Sequence, residues 1–198
     1  MTRESDASAV ARIASAQHGV LSKADLQTLL AERHPAAFTR RVKALERDNV
    51  LARFCRGIYV HDPFDLPTLS QRLAPDSYVS FGTVLARDLL IGTRPDRQLI
   101  AAKVGHTRTY RARGYEILHL HIAPHLDFGH TTIHGVKWAD AEKAVLDVLY
   151  FHLRGRRYPF DLHSDIDYTQ LDRKRLASYL KRYRNPKFVA YAERITAR

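Results

Sequence analysis

Residues 38–60 read FTRRVKALERDNVLARFCRGIYV, which places a basic amphipathic helix directly before two short runs of strand-forming residues. At about 100° per residue, Phe38, Val42 and Leu45 fall on one side of the helix, and most of its cations fall on the other. The runs LARF and IYV flank a turn that contains Gly57, a pattern typical of a β-hairpin. We therefore expect a helix that buries one face, followed by a hairpin.

Two further helices are expected ahead of this one. Ser22 and Asp25 form a capping-box pattern at the start of the second helix, which we expect to end near His34. Pro35 suits the first turn of the third helix, because backbone N–H groups in that turn have no partner within the helix and the missing N–H of proline costs nothing. Three helices and a hairpin in about 60 residues are typical of a winged helix-turn-helix. Residues 1–62 are predicted to form this domain.

The rest of the chain is predicted to contain a linker and a second domain. Residues 63–76 contain three prolines and little periodicity, which favours a linker. Residues 77–198 mix apolar helical stretches, such as AEKAVLDVLYFHL, with runs of strand formers. The runs predict strands over residues 98–104, 115–122 and 131–138. The predicted fold class is α+β, with a mixed α+β C-terminal domain.

The charge balance favours a polyanionic partner. Lysine and arginine number 32 against 21 aspartates and glutamates, so the formal net charge is +11. Double-stranded DNA is the first candidate, because each neutralised phosphate releases counterions. A winged helix places its third helix in the major groove and its hairpin near the backbone. The residues that we expect to contact DNA are Thr39, Arg40, Lys43, Arg47, Arg53 and Arg56. The alternative is a solvated helix face or a protein-docking module.

A second group of cations lies near the C-terminus, with Tyr179 and Tyr183 interleaved. Its members are Lys174, Arg175, Lys181, Arg182, Arg184 and Lys187. Such a group can bind flanking DNA or an acidic protein surface, or it can simply be solvated.

Neither a membrane protein nor a secreted one is predicted. No apolar run approaches the roughly 18 residues of a membrane span, and the first residues do not resemble a secretion signal. The one cysteine, Cys55, excludes an internal disulfide and fits a reducing, cytoplasmic compartment. In the hairpin it is either a redox-sensing thiol or, as we favour, an incidental small residue.

Five histidines suggest a metal site: His119, His121, His125, His130 and His134. Cysteine and carboxylate ligands at suitable spacing are missing, so we expect neither a metal nor a cofactor. No phosphate-binding loop or nucleophile–base pair is apparent, and Asp140 with Glu142 lacks the strand context of a nuclease. No enzyme activity is predicted. Asp147 lies within an apolar helix, where we expect a backbone turn to donate hydrogen bonds to it.

Several stretches in succession resemble the AbiEi family, the antitoxins of type IV toxin–antitoxin systems. They are GVLSKADL, FTRRVKALERDNVLARFCRGIYV, SYVSFGTVLARDLLI, AEKAVLDVLYF and LDRKRLASYLKRYRNP. The resemblance implies a winged helix that represses its own operon through inverted repeats and a C-terminal domain that counteracts a nucleotidyltransferase toxin. By position, Thr39, Arg40 and Lys43 match the family's recognition helix, and Arg56 matches the wing. The sequence HPAA at 34–37 departs from the family's usual turn.

Two other functions are compatible with the sequence. One is a stand-alone winged-helix regulator whose C-terminal domain senses a ligand or a metal. The other is a DNA-cleaving enzyme that the winged helix targets to its substrate.

Overall fold

The computed structural model describes residues 5–92 and 96–197, which form two compact units. The first unit extends to Pro75 and includes Tyr110–Gly114, and the second comprises Asp76–Thr109 and the chain from Tyr115 onward. Both contain helices and strands, so the predicted α+β class is confirmed at this level.

The first unit combines helices with a small antiparallel sheet. Its elements are α1 (Asp6–Ala16), β1 (Val20–Ser22), α2 (Lys23–Leu30), α3 (Pro35–Arg47), β2 (Ala52–Cys55), β3 (Ile58–Val60) and α4 (Leu66–Leu73). The strand order is β1-β3-β2, so the short segment before α2 adds a third strand to the hairpin.

Helix α3 begins where the sequence predicts. Pro35 is its first residue, and His34 before it is extended, because the proline ring disfavours a helical conformation at the preceding residue. Phe38, Val42 and Leu45 are buried in a cluster with side chains of α1 and α2. The opposite face of α3 is therefore left at the surface.

Helix α2 begins with the predicted capping box but ends at Leu30, four residues before the predicted end at His34. Ser22 accepts from the Asp25 N–H and Asp25 accepts from the Ser22 N–H. Ala31 then adopts a left-handed conformation, with φ of 49°, which ends the helix. The Arg41 guanidinium donates to the Leu30 carbonyl over 2.8 Å, satisfying one of the carbonyls that a helix end leaves free.

Residues 63–76, predicted to be a linker, contain helix α4. Asp65 caps it by accepting from the Thr68 N–H over 2.8 Å. Pro67 lies in the first turn, where its missing N–H has no cost, and Leu69 is fully buried. Proline content alone therefore overstated the irregularity of this segment.

Among its described residues the second unit contains four α-helices and most of a six-stranded mixed sheet, whose strand Arg108–Ala112 ends in the segment Tyr110–Gly114 that is grouped with the first unit. Its elements are β4 (Tyr78–Val79), α5 (Phe81–Arg87), β5 (Gln98–Val104), β6 (Arg108–Ala112), β7 (Tyr115–Ile122), β8 (His130–Ile133), β9 (Val136–Ala139), α6 (Ala141–His152), α7 (Arg173–Leu180) and α8 (Pro186–Thr196). The strand order is β6-β7-β5-β4-β9-β8. Parallel pairs, β5 with β7 and β4 with β9, alternate with antiparallel ones.

Strands β5 and β7 have the predicted bounds, whereas the predicted strand over 131–138 is two strands. His134 and Gly135 both have positive φ, 48° and 80°, and form the tight turn between β8 and β9. Strand β6 was not predicted, because it is short, polar and largely exposed.

A charged pair lies in the core of the second unit. Lys143 and Asp147, one turn apart on α6, are buried and form an ion pair. Asp147 also accepts from the hydroxyls of Tyr78 and Ser80 over 3.0 and 2.8 Å. Its donors are thus side chains, and the predicted backbone turn is wrong. The oxygens of this buried carboxylate thus receive hydrogen bonds from the protein in place of water.

Candidate nucleic-acid interface

All six residues predicted to contact DNA are exposed. Arg40, Lys43 and Arg47 lie on the face of α3 opposite its buried stripe, and Thr39 lies beside that stripe. Arg53 and Arg56 lie on the β2–β3 hairpin. We call these six residues together the α3–hairpin surface.

Most of these cations have few internal contacts. Within residues 5–92 and 96–197, Arg40, Lys43 and Arg56 form no hydrogen bond or ion pair with their side chains. Arg47 pairs with Asp48 over 2.9 Å, and this contact raises the pKa of the guanidinium. Both partners are exposed, so the pair contributes little to stability and is easily exchanged for another anion. The surface therefore presents charge that the fold itself does not use.

The hairpin turn positions Arg56. Gly57 follows it with φ of +83°, a backbone region that favours glycine, and its carbonyl accepts from the Lys23 N–H over 2.8 Å. This bond joins the hairpin tip to the start of α2. On the strands, Arg53 is opposite Tyr59, and the register shifts between Arg53 and Cys55. Tyr59 and Arg53 consequently lie on the same face of the hairpin.

A concave region of about 690 Å³ joins α2, α3 and the hairpin. It brings Thr39 and Lys43 of α3 together with Arg53 and Arg56 of the hairpin. A shallower region along α3 is lined by Thr39, Arg40, Lys43 and Arg47, so two of the six residues border both. The six predicted residues thus form one continuous surface on the first unit.

Four polar lining residues of this region were not predicted from the sequence: Lys23, Gln27, Glu46 and Tyr59. Lys23 and Gln27 lie one helical turn apart at the start of α2, and that spacing was the available signal. The orientation of Tyr59 depends on the strand register, which sequence spacing does not fix.

Arg41 lies on α3 beside these residues but has a different role. Its guanidinium binds both carboxylate oxygens of Asp6, at 2.8 and 2.5 Å, besides the Leu30 carbonyl. The hydrogen bonds to Asp6 raise the pKa of the Arg41 guanidinium. Arg41 therefore fastens α3 to α1 and α2.

Cys55 is not an activated thiol in this structure. Burial raises its pKa, and nearby Arg53 offsets this only in part. A redox-sensing cysteine requires the opposite direction, so the interpretation of Cys55 as an incidental residue is favoured.

The second group of cations is exposed but only partly free. Arg175 pairs with Glu142 over 3.3 Å, and the Arg182 guanidinium lies 4.5 Å from the centre of the Phe128 ring. The other members are Lys174, Lys181, Arg184 and Lys187, which are exposed on α7, α8 and the connection between them. The interleaved tyrosines are not free: Tyr179 donates to Asp140 over 2.6 Å, and Tyr183 is buried. The described structure therefore offers charge here without exposed stacking rings.

The five histidines are dispersed. Across the described ranges, no group of three histidine, cysteine, aspartate or glutamate side chains is arranged to hold a metal ion. His119 is buried, and burial lowers its pKa to about 4, with a smaller contribution from Lys103. His130 stacks on Tyr78 and binds Asp127 over 2.9 Å. These two histidines make structural contacts.

Asp140 and Glu142, the carboxylates considered for cleavage chemistry, bind groups of the protein itself. Asp140 caps α6 through the Lys143 N–H, and burial raises its pKa. Burial and the hydrogen bond to Asp140 raise the pKa of Tyr179 to about 12. Glu142 accepts from the Asp172 N–H over 2.8 Å and pairs with Arg175. The two carboxylates therefore hold α7 against α6.

The described helices include none that is both long and apolar enough to cross a bilayer.

A protein of known structure has a similar fold. The chain is similar in structure to the Rv2827c protein from Mycobacterium tuberculosis, with a TM-score of 0.61 over 95% of this chain and 74% of that chain. The two sequences are 14% identical, so the similarity concerns the fold alone. No protein-family model matches the sequence, and no curated protein matches it.

Proposed function

We propose that the chain is a DNA-binding transcriptional repressor whose first unit acts as a winged helix-turn-helix. The observation that carries this proposal is the α3–hairpin surface, in which helix and hairpin cations border one exposed concavity. In this proposal α3 enters the major groove, and Arg53 and Arg56 bind the flanking phosphates.

The biological role that we propose is that of a type IV antitoxin, which rests on the resemblance to the AbiEi family. The repressor binds inverted repeats ahead of its own operon, and the second unit counteracts a nucleotidyltransferase toxin. Co-expression tests this role: growth inhibited by a neighbouring nucleotidyltransferase gene is restored by this chain. Absence of such a neighbour, or persistent inhibition, contradicts it.

The DNA-binding proposal is tested with paired variants. Arg40→Ala with Lys43→Ala removes two unpaired cations of α3 and should lower operator affinity by at least about tenfold, because both bases and phosphates lose contacts. The matched control, Arg157→Ala with Arg194→Ala, removes the same charge from exposed positions of the second unit outside the C-terminal cation group. Gel-shift titration compares the three proteins. Equal loss in both variants indicates attraction by net charge alone and contradicts the proposal.

A second candidate function is a regulator that senses a ligand through its second unit. A cavity lined by cations and aromatic rings favours it over a purely passive second unit. The two functions differ in a simple observable, since only the sensor changes its DNA affinity when a small molecule is added.

A further inference from the structure

The second unit contains a cavity of about 250 Å³ beside the C-terminal end of α6. Its walls come from three places: α6, the α7–α8 connection with the start of α8, and the short 3-10 turn Pro124–Leu126. All of these lie within one unit, so the cavity does not depend on the first unit.

One part of the wall is aromatic. Tyr150, Tyr183 and Phe188 pack together, with the Phe188 ring centre 5.4 Å from that of Tyr150 and 4.6 Å from that of Tyr183. Leu153 at the rim is 48% exposed, which is unusual for a large apolar side chain beside such a cluster. The wall suits a ligand that has a flat, apolar body.

The rest of the lining is cationic. Arg154, Arg184 and His125 line the cavity, and no aspartate or glutamate is among its described lining residues. The Arg154 guanidinium lies 4.0 Å from the centre of the Tyr150 ring, which holds a charge against the aromatic wall. A guanidinium plane also stacks on nucleobases, so Arg154 extends the stacking surface.

Size and charge together select the ligand class. Two arginines with a histidine match a dianionic phosphate better than a single carboxylate, since arginine binds phosphate through two parallel hydrogen bonds. The volume lies just below the roughly 300 Å³ at which sites for drug-sized ligands begin, which leaves no room for a dinucleotide.

We propose that this cavity binds a nucleoside monophosphate. The base stacks on the guanidinium of Arg154, which itself lies on the Tyr150 ring, and the phosphate is bound by Arg184, with His125 also lining the cavity. The proposal does not depend on DNA binding by the first unit, because every lining residue belongs to the second.

Isothermal titration calorimetry of the full chain with AMP, GMP and UMP tests the proposal. At least one nucleotide should bind at least about tenfold more tightly than its nucleoside, which lacks the phosphate. It should exceed inorganic phosphate by a similar factor, because phosphate has no base to stack. Benzoate serves as the carboxylate comparator. Absence of binding at millimolar nucleotide overturns the proposal, as does equal or tighter binding of phosphate or benzoate.

Variants locate the binding in this cavity. Arg154→Gln with Arg184→Gln should weaken nucleotide binding by at least about tenfold, since charge-assisted hydrogen bonds are lost. Lys181→Gln with Lys187→Gln, which removes the same charge outside the lining, should leave it unchanged. Tyr150→Leu should weaken nucleotide binding without affecting the response to inorganic phosphate. Thermal melting confirms that each variant is folded. Unchanged nucleotide affinity in the arginine variant or in Tyr150→Leu overturns the proposal.

Discussion

The salt dependence of DNA binding is the most quantitative expectation from the α3–hairpin surface. Five of its six residues are cations: Arg40, Lys43, Arg47, Arg53 and Arg56. If each neutralises one phosphate, log K should fall with log salt with a slope of about −4.5 for each bound protomer. The affinity then falls about 500-fold between about 50 and 200 mM salt.

Removing the hairpin cations should change this slope by a defined amount. Arg53→Gln with Arg56→Gln leaves three cations, so the expected slope is about −2.7 and the loss over the same salt range is about 40-fold. Both side chains are exposed, and the bond from Arg53 to the Cys55 carbonyl is long, at 3.4 Å. The substitutions should therefore alter stability by less than about 0.5 kcal/mol.

Fluorescence anisotropy of a labelled operator duplex, titrated at several salt concentrations, gives both slopes. The double variant Arg157→Gln with Arg194→Gln, which removes two exposed cations of the second unit outside the C-terminal group, is the control and should keep the wild-type slope. A wild-type slope near zero refutes the phosphate contacts. An unchanged slope in the hairpin variant shows that the hairpin does not contact DNA.

Two predictions concern the core of the second unit, whose unfolding in urea is followed by fluorescence of Trp138, the one tryptophan of the chain. Asp147→Ala leaves the buried Lys143 ammonium unpaired and should cost about 3–5 kcal/mol. Lys143→Met with Asp147→Leu should recover only part of this loss, because the hydroxyls of Tyr78 and Ser80 still lack their acceptor. A loss below about 1 kcal/mol for the single variant contradicts the ion pair's role. His119 has a folded pKa of about 4, against about 6.5 in the unfolded chain. Between these two pH values His119 gains a proton only in the unfolded state. Its contribution to the free energy of unfolding should therefore fall by up to about 3 kcal/mol as the pH drops from 6.5 to 4. His119→Leu should remove this fall and His121→Gln should not; the same pH profile in both variants contradicts the assignment.

Helix starts and strand bounds were predicted correctly where they depend on residues that are close together in the sequence. Pro35 and the capping box of Ser22 and Asp25 act within one helical turn, and the structure contains both helix starts. Strands β5 and β7 were predicted with their bounds because β5 contains a continuous apolar run and β7 largely alternates apolar with polar residues. Where a tertiary contact competes with the local pattern, prediction failed. Arg41 reaches the carbonyl of Leu30 from the next helix, at the point where α2 ends early.

The candidate interface was predictable to the extent that helical phase determines it. The buried stripe of α3 leaves Arg40 and Lys43 on the opposite face, and both are exposed. The approach of Lys23 to the hairpin depends on the bond to the Gly57 carbonyl, a contact between segments more than 30 residues apart. No spacing rule encodes such a contact. The partners of Asp147 were missed for the same reason, since Tyr78 and Ser80 come from a different part of the chain.

Sequence-specific DNA binding by the first unit is the central claim, and one comparison tests it directly. The affinity of the full chain is measured by anisotropy for the duplex immediately upstream of its own coding region and for a shuffled duplex of equal length and composition, at physiological salt. We expect the upstream duplex to bind at least about 1,000-fold more tightly. Equal affinity for the two duplexes, or binding to neither, contradicts the claim.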